Sequence, residues 1–271
     1  MLLNLWKIWI WSLTKIRTMI KYMSEMINTE KQRIYITGDL HGDQVLWESK
    51  IDAFLKPGDI IIVAGDFGIG FLDGRYWPEE MFYDHISQKD YTVLFIDGNH
   101  EDFNKLNSYE VSVWNGGRVH LIRHNLIHLM RGEVYKLNDI TLFAFGGGYS
   151  LDKYRRIENV SWWPQEMPSY EEYENALTNL EKCDNKVDYI ITHTASINSL
   201  EYISRVATHI KSKAYEEYQL NSFLQDIEDT VKYDKWYFGH FHVDMDIWKN
   251  QYAMFDQIRD LRTGESVFMR R

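Results

Sequence analysis

Three times between residues 34 and 101 an apolar, β-branched run breaks off into glycine and side chains able to bind a cation. Ile34-Tyr35-Ile36-Thr37 is followed by Gly38-Asp39-Leu40-His41-Gly42-Asp43, Ile60-Ile61-Ile62-Val63-Ala64 by Gly65-Asp66-Phe67-Gly68, and Tyr91 to Ile96 by Asp97-Gly98-Asn99-His100-Glu101. Such runs read as short buried strands. The helical spacing of Val45, Leu46, Ile51, Phe54 and Leu55, and a helix expected from Glu79 to Gln88, supply the crossovers. A β-helix-β repeat of this kind predicts a largely parallel sheet with its site beyond the carboxyl ends of the strands. Gly-Asp and Gly-Asn are ordinary turn formers, so one such end would be unremarkable; three in succession need a chemical reason.

The later chain repeats the pattern. Val187 to Thr192 ends in His193, and Tyr233 to Phe238 ends in Gly239-His240-Phe241-His242. Side chains two residues apart in extended backbone point to one side, so Asp39 with His41, and His240 with His242, suit shared ligation. Between these ends, Val119–Ile122, Leu126–Leu129, Glu133–Leu137 and Ile140–Phe145 read as further strands. His120, His124 and His128 stand four apart, but Asn115-Gly116-Gly117 and Arg131-Gly132 argue against a helix, which makes them strand or loop histidines rather than ligands. Gly146-Gly147-Gly148 then leads into an irregular stretch with Arg155, Arg156, Trp162 and Trp163. That stretch is either a solvent-facing loop tied down by tryptophans or a cap whose arginines hold substrate phosphate. Ser169 ahead of Glu171 and Glu172 caps a helix running to Lys182; Ser196 to Asp229 is mostly helical, and Tyr252 to Phe268 closes as a hairpin around Arg262-Thr263-Gly264-Glu265.

Asp39, His41, Asp66, Asn99, His193, His240 and His242 therefore form one candidate ligand set. Carboxylates packed without a cation repel and take up protons, so such a cluster wants positive charge at its centre. Seven oxygen and nitrogen donors with no thiolate are too many for one ion and suit two divalent ions sharing a carboxylate. Two ions a few ångströms apart would hold a bridging hydroxide near neutral pH and clamp a phosphate undergoing in-line attack. His100, next to a ligand, is available as general acid for the leaving oxygen.

In these residues the sequence closely resembles the calcineurin-like metallophosphoesterase superfamily. Gly38-Asp39-Leu40-His41, Gly65-Asp66, Gly98-Asn99-His100-Glu101, His193 and Gly239-His240-Phe241-His242 stand in the family's order, and the resemblance covers residues 33–260. It implies an α/β fold, a four-layered α-β-β-α sandwich of two mixed sheets, in place of the single doubly wound sheet that the strand count alone favours. It implies Asp39, His41 and His242 at a first metal, Asp66 as the bridge, Asn99, His193 and His240 at a second, and His100 as acid or phosphate contact. The activity it implies is hydrolysis of phosphomonoesters or phosphodiesters with two divalent ions, manganese first and iron or zinc as alternatives. The stretch from His193 and the Trp162-Trp163 loop look similar to small bacterial and phage-type members. Protein phosphatases of the superfamily carry Gly-Asp-x-x-Asp-Arg where this chain has Gly65-Asp66-Phe67-Gly68-Ile69-Gly70. That departure disfavours a phosphoprotein phosphatase and turns attention to Arg155 and Arg156 as substrate-binding substitutes. The rival class, a scaffold or binding protein that kept the fold and lost catalysis, should have lost ligands, and all seven are here.

A formal net charge of −10 disfavours a protein that neutralises a long phosphate backbone, which leaves a small phosphorylated substrate rather than nucleic acid. The single Cys183 excludes an internal disulfide and fits a reducing, cytoplasmic setting. Residues 31–271 are expected to form the catalytic domain, with a substrate-side cap at about 149–182, and residues 1–30 an extension outside it. The apolar run Leu2 to Leu13 is shorter than the roughly 20 residues that span a bilayer, and its charges follow rather than precede it, unlike a signal peptide. Two readings of the extension stand: an upstream start with Met23 or Met26 as initiator, or a basic amphipathic helix on a membrane surface anchored by Trp6, Ile8, Trp11 and Leu13. The second would suit a hydrolase of phospholipid-like substrates. The sequence is silent on oligomeric state.

Overall fold

The computed structural model describes residues 32–71, 78–207 and 215–269. Both readings of the N-terminal extension fall outside the described residues. The chain divides into two units, Met1–Arg33 and Ile34–Arg271, and every element below belongs to the second.

Fourteen strands form two sheets among the described residues. The first carries β1 (Ile34–Thr37), β2 (Ile60–Val63), β3 (Thr92–Phe95), β4 (Val111–Trp114), β5 (Gly117–Arg123), β6 (Leu126–Leu129), β13 (Ile258–Asp260) and β14 (Ser266–Phe268). Its order is β14-β13-β1-β2-β3-β6-β5-β4. β1, β2, β3 and β6 run parallel in sequence, with Ile36 beside Ile62 and Ile62 beside Leu94. The second sheet carries β7 (Glu133–Leu137), β8 (Ile140–Phe145), β9 (Tyr189–Thr192), β10 (Lys235–Phe238), β11 (Met245–Ile247) and β12 (Gln251–Ala253), in the order β11-β12-β10-β9-β8-β7.

The period of two along each strand builds the layers. Ile34, Ile36, Ile60, Ile62, Leu94 and Ile96 pack with Tyr135, Leu142, Tyr189, Ile191 and Tyr237, so these faces of the two sheets meet in one core. Their strand neighbours Tyr35, Ile61, Val63, Val93 and Phe95 turn the other way, onto Trp47, Phe82, Tyr83 and Ile86. The last three belong to α2 (Glu79–Ser87), which follows the short α1 (Gln44–Leu46) and precedes α3 (Phe103–Leu106). On the far side Phe143, Phe145, Ile190, Trp236 and Phe238 meet α4 (Tyr170–Glu181), α5 (Ile197–Val206) and α6 (Tyr218–Thr230) through Tyr173, Leu180, Ile203, Leu220, Leu224 and Ile227. The result is the four-layered α-β-β-α sandwich, and the single doubly wound sheet suggested by strand count is corrected. A strand buried on both faces looks the same in sequence whichever sheet it joins.

Three local expectations also change. The helix expected over residues 44–55 is α-helical only at α1 and continues as a π-helical turn, Trp47–Asp52. The hairpin expected from Tyr252 to Phe268 is divided: Tyr252 lies on β12 in the second sheet, and only β13 and β14 pair as a hairpin, in the first. Of the stretch 149–182, α4 has its Ser169 capping box as expected and buries Tyr173, Ala176 and Leu180 in the outer core. From the earlier part of that stretch, Ser150 and Arg156 reach the residues at the strand ends described next.

Candidate metal centre

Each candidate ligand stands where a strand stops, and the backbone there is unusual. His41, Asp66, His240 and His242 have φ of 51°, 52°, 70° and 49°, a left-handed region that side-chain-bearing residues seldom occupy. The turns are held from outside. The amides of Leu40 and His41 both donate to the Asp66 carbonyl, at 2.9 and 2.8 Å, tying the first strand end to the second. The His240 amide donates to both oxygens of Asp39 at 3.1 Å, tying the last strand end to the first. Gly98 and Gly239 are required by close approach: a Cβ on Gly98 would overlap the Asp66 carboxylate, and one on Gly239 the Asp39 carboxylate.

Two groups of donors result. In the first, His41 Nε2 lies 3.0 Å from His242 Nε2, and that nitrogen lies 3.1 Å from Asp39 Oδ2. Donor atoms of Asp39, His41, Asp66 and His242 all lie within 4.8 Å of one another. In the second, Asn99 Oδ1 lies 3.1 Å from His193 Nε2 and 2.9 Å from His240 Nδ1. Asp66 faces both: Oδ2 is 3.5 Å from His41 Nδ1, and Oδ1 is 3.4 Å from His193 Nε2 while accepting from the His100 amide at 2.8 Å. The structure thus brings all seven together.

The donor chemistry of the second group fits a cation. Asn99 Nδ2 donates to Ser150 Oγ at 3.1 Å, which turns Oδ1 inward. His193 Nδ1 donates to the Ala64 carbonyl at 2.9 Å, which makes Nε2 a lone pair aimed at Asn99 Oδ1 and Asp66 Oδ1. With the ring neutral, three acceptors face one another and repel unless a cation joins them; without a cation a proton on Nε2 takes that place, in line with the raised affinity of His193 for a proton. The two groups differ in exposure. His193 is fully buried and Asn99 nearly so, whereas the His242 side chain keeps 49% of its surface, so the first group opens to solvent.

Electrostatics follow from burial and the two carboxylates. Burial works against the Asp66 charge, but His193, His100 and His41 hold its carboxyl below the usual range. Burial lowers His193 and Asp66 and Asp39 outweigh it, raising the ring. The Asp39 hydrogen bond raises His242, and burial lowers His240. His100 falls to about 4, chiefly by burial, with Arg156 adding to the effect against Asp66.

The two arginines separate. Arg156 Nη1 donates to His100 Nδ1 and to the Ser161 carbonyl, each at 3.1 Å, and its Nε pairs with Asp152 at 2.9 Å. Arg155 is exposed and stacks on Tyr154, 5.1 Å from the ring centre, with no contact to His100 among those of the described residues.

Three buried carboxylates around the centre are missing from the sequence reading. Glu101 is fully buried and accepts from the amides of Phe67, Gly68 and Ile69 at 2.9, 3.0 and 2.5 Å, holding the loop that follows Asp66. Burial and then Asp66 push its pKa well up, and the amides pull the other way. Its signal was present, as the last residue of Gly98-Asn99-His100-Glu101. Asp97 accepts from Arg131 Nε at 2.8 Å and faces His128 Nε2 at 3.1 Å, and His128 in turn stacks on His120. Those histidines are strand residues, as expected, and serve the buried network behind Asn99. Glu217 Oε1 accepts from the Tyr149 amide at 3.0 Å and lies 3.4 Å from His240 Nε2, the ring nitrogen facing away from Asn99. Nothing local in the sequence marks it.

A family model described as calcineurin-like phosphoesterase matches residues 32–244. Among solved structures, the chain is similar to the crystal structure of phosphopantetheinyl hydrolase from Mycobacterium tuberculosis, with 15% identity and a TM-score of 0.44, covering 83% of this chain and 88% of that one. No curated protein matches it. No helix among the described residues is long and apolar enough to cross a membrane.

Proposed function

The chain belongs to the calcineurin-like phosphoesterase family, and on that premise we propose that it hydrolyses small phosphoesters at a pair of divalent cations. Asp39, His41 and His242 would hold one cation, Asn99, His193 and His240 the other, and Asp66 would serve both. The observation that carries this reading is the position of Asp66, whose two oxygens face the two donor groups separately. When bound, the cations supply Lewis acidity toward the phosphoryl oxygens and a water acidified toward neutral pH.

The chain's own residues do the rest. A phosphoryl group at the centre would meet the Arg156 guanidinium and the His100 ring together, since the two already touch. Arg156 offers a planar set of N–H donors suited to phosphoryl oxygens, and His100, which burial and Arg156 keep neutral, suits a phosphate contact better than an acid for the leaving oxygen. Arg155 has the weaker claim to substrate, because its guanidinium stacks on Tyr154 instead. Manganese is our choice of ion, with iron and zinc to be tested beside it. A small substrate fits the net charge of −10, and one cysteine fits the cytoplasm.

The test is hydrolysis of p-nitrophenyl phosphate and bis(p-nitrophenyl) phosphate by protein loaded in turn with manganese, iron and zinc. The pair also separates monoester from diester preference. Asp66→Asn should lose bound metal and activity together. His100→Asn should keep its metal while turnover falls by about 10²- to 10⁴-fold. Full activity in either variant overturns the assignment.

A further inference from the structure

Leu151, Tyr154, Ile157 and Val160 stand three residues apart, and their relative exposures are 61%, 75%, 67% and 67%. Single exposed apolar side chains are ordinary, but four within ten residues of one segment ask for an apolar partner. The segment that carries them is built. Lys153 and Arg155 close a 3₁₀ turn through their amides onto Ser150 and Asp152, at 3.1 and 2.8 Å. Val160 and Ser161 close the next turn onto the Ile157 carbonyl, at 3.1 and 2.9 Å.

Both roots of the segment lie in the candidate metal centre. Ser150 is buried and accepts from Asn99, while Trp163 is buried against Phe71, which meets the edge of His100 with ring centres 5.9 Å apart. Between the two turns, Arg156 sends its guanidinium onto His100, so Ile157 of the apolar row adjoins a residue whose side chain reaches the proposed reacting groups. Cations are interleaved with the row: Lys153 lies over the rings of Tyr149 and Trp162 at 4.6 and 5.0 Å, and Arg155 over Tyr154. An apolar track with cations along it, leading to a phosphoryl site, matches a ligand with a phosphate at one end and an apolar chain at the other.

We infer that the substrate is an amphiphilic phosphoester whose phosphate lies at the cation centre and whose apolar chain lies along Leu151, Tyr154, Ile157 and Val160. The inference rests on the hydrolase reading above and names its substrate class. The reaction is the same hydrolysis: the oxygen of water joins phosphorus, the bond from phosphorus to the alcohol oxygen breaks, and that oxygen takes up a proton.

The test uses full-length, manganese-loaded protein and n-alkyl p-nitrophenyl phosphates from ethyl to octyl, below their micellar concentrations. The octyl-to-ethyl ratio of kcat/KM should be at least about tenfold, a fraction of what full burial of the added methylenes would give. In the triple variant Leu151→Ser, Ile157→Ser, Val160→Ser the ratio should fall toward one. A flat series in the unaltered protein, or the same slope in the triple variant, overturns the inference. So does a slope that appears only with phosphatidylcholine vesicles present, which would make the patch a membrane contact. A change of oligomeric state in the triple variant would make it a contact between copies and also overturns it. If neither these diesters nor p-nitrophenyl phosphate is hydrolysed, the hydrolase reading fails by itself; if only the monoester is, that reading stands, and in both cases calorimetry with octyl and ethyl phosphonates decides the patch separately. Octyl phosphonate should bind at least about tenfold tighter, and equal affinities overturn the assignment.

Discussion

Replacing Glu101 by glutamine changes one buried atom and should unsettle the loop on which the shared carboxylate depends. Glu101 Oε1 accepts from Phe67 and Oε2 from both Gly68 and Ile69, all buried amides. A glutamine carbonyl placed at Oε2 keeps two of those bonds, turned from charged to neutral, and its NH₂ then faces the Phe67 N–H donor to donor. The three amides donate to both oxygens and favour the carboxylate against the upward push of burial and Asp66; with Glu101 ionised, a lost bond to it is worth about 1.5–3 kcal/mol, and the two that remain are weakened by roughly half. Removing a buried negative charge near Asp66 returns part of this, which leaves a net cost of about 2 kcal/mol. Glu101→Ala orphans all three amides and opens a cavity, for about 5 kcal/mol. Urea unfolding of metal-free protein measures both. Phe67 follows Asp66, whose carbonyl also holds the amides of Leu40 and His41, so manganese affinity by calorimetry should fall about tenfold in the glutamine variant. A glutamine variant within 0.5 kcal/mol of the unaltered protein, at unchanged affinity, would refute the reasoning. It would mean that Glu101 is held as the neutral acid, which glutamine imitates.

Further outcomes follow from the other buried charges. Arg131→Met leaves Asp97 uncompensated in the core and should destabilise the fold by about 3–5 kcal/mol in urea unfolding, with Asp97→Asn in the same chain recovering part of the loss. Burial raises Glu166 to about 7, against hydrogen bonds from Ser150 and Trp163. Its folded value exceeds its unfolded one, so its contribution to stability is complete below pH of about 4.5 and is lost as pH rises through about 7, by at most about 3 kcal/mol. Glu166→Gln should flatten that part of the stability–pH curve, and an unchanged slope would remove Glu166 as its source. Glu217→Gln keeps the shape but weakens the carboxylate behind His240 Nε2, so zinc or manganese affinity should fall about tenfold, with thermal stability of the metal-free protein little changed.

How much of this was legible depends on how far apart the cooperating residues lie in the chain. The strand ends were, because a buried run followed by glycine and an acid, amide or imidazole leaves its mark within ten residues, and the seven donors converge as that pattern implies. Arg156 was visible only as one of a pair, and its geometry separates it from Arg155: adjacent residues leave a turn in different directions, which sequence does not encode. Glu217 was out of reach, since its meeting with His240 and Tyr149 joins the turn before α6, a strand end and the loop after β8 across long stretches of chain. The partition into two sheets was equally hidden. Ile61 and Ile190 are both fully buried strand isoleucines, and only long-range pairing sends one to the first sheet and the other to the second.

The contact between His41 and His242 spans 201 residues of chain. At a synthesis rate of about 5–20 residues per second, the first histidine waits roughly 10–40 s for the second to be made. Throughout that interval Asp39 lacks the His240 amide as well, so the opening strand end has no partner from the far end of the chain. A nascent chain can therefore present carboxylates and imidazoles to passing cations, but it cannot offer either completed donor group until its last strands emerge. On the proposed ligand set, metal acquisition waits on the synthesis of His240 and His242.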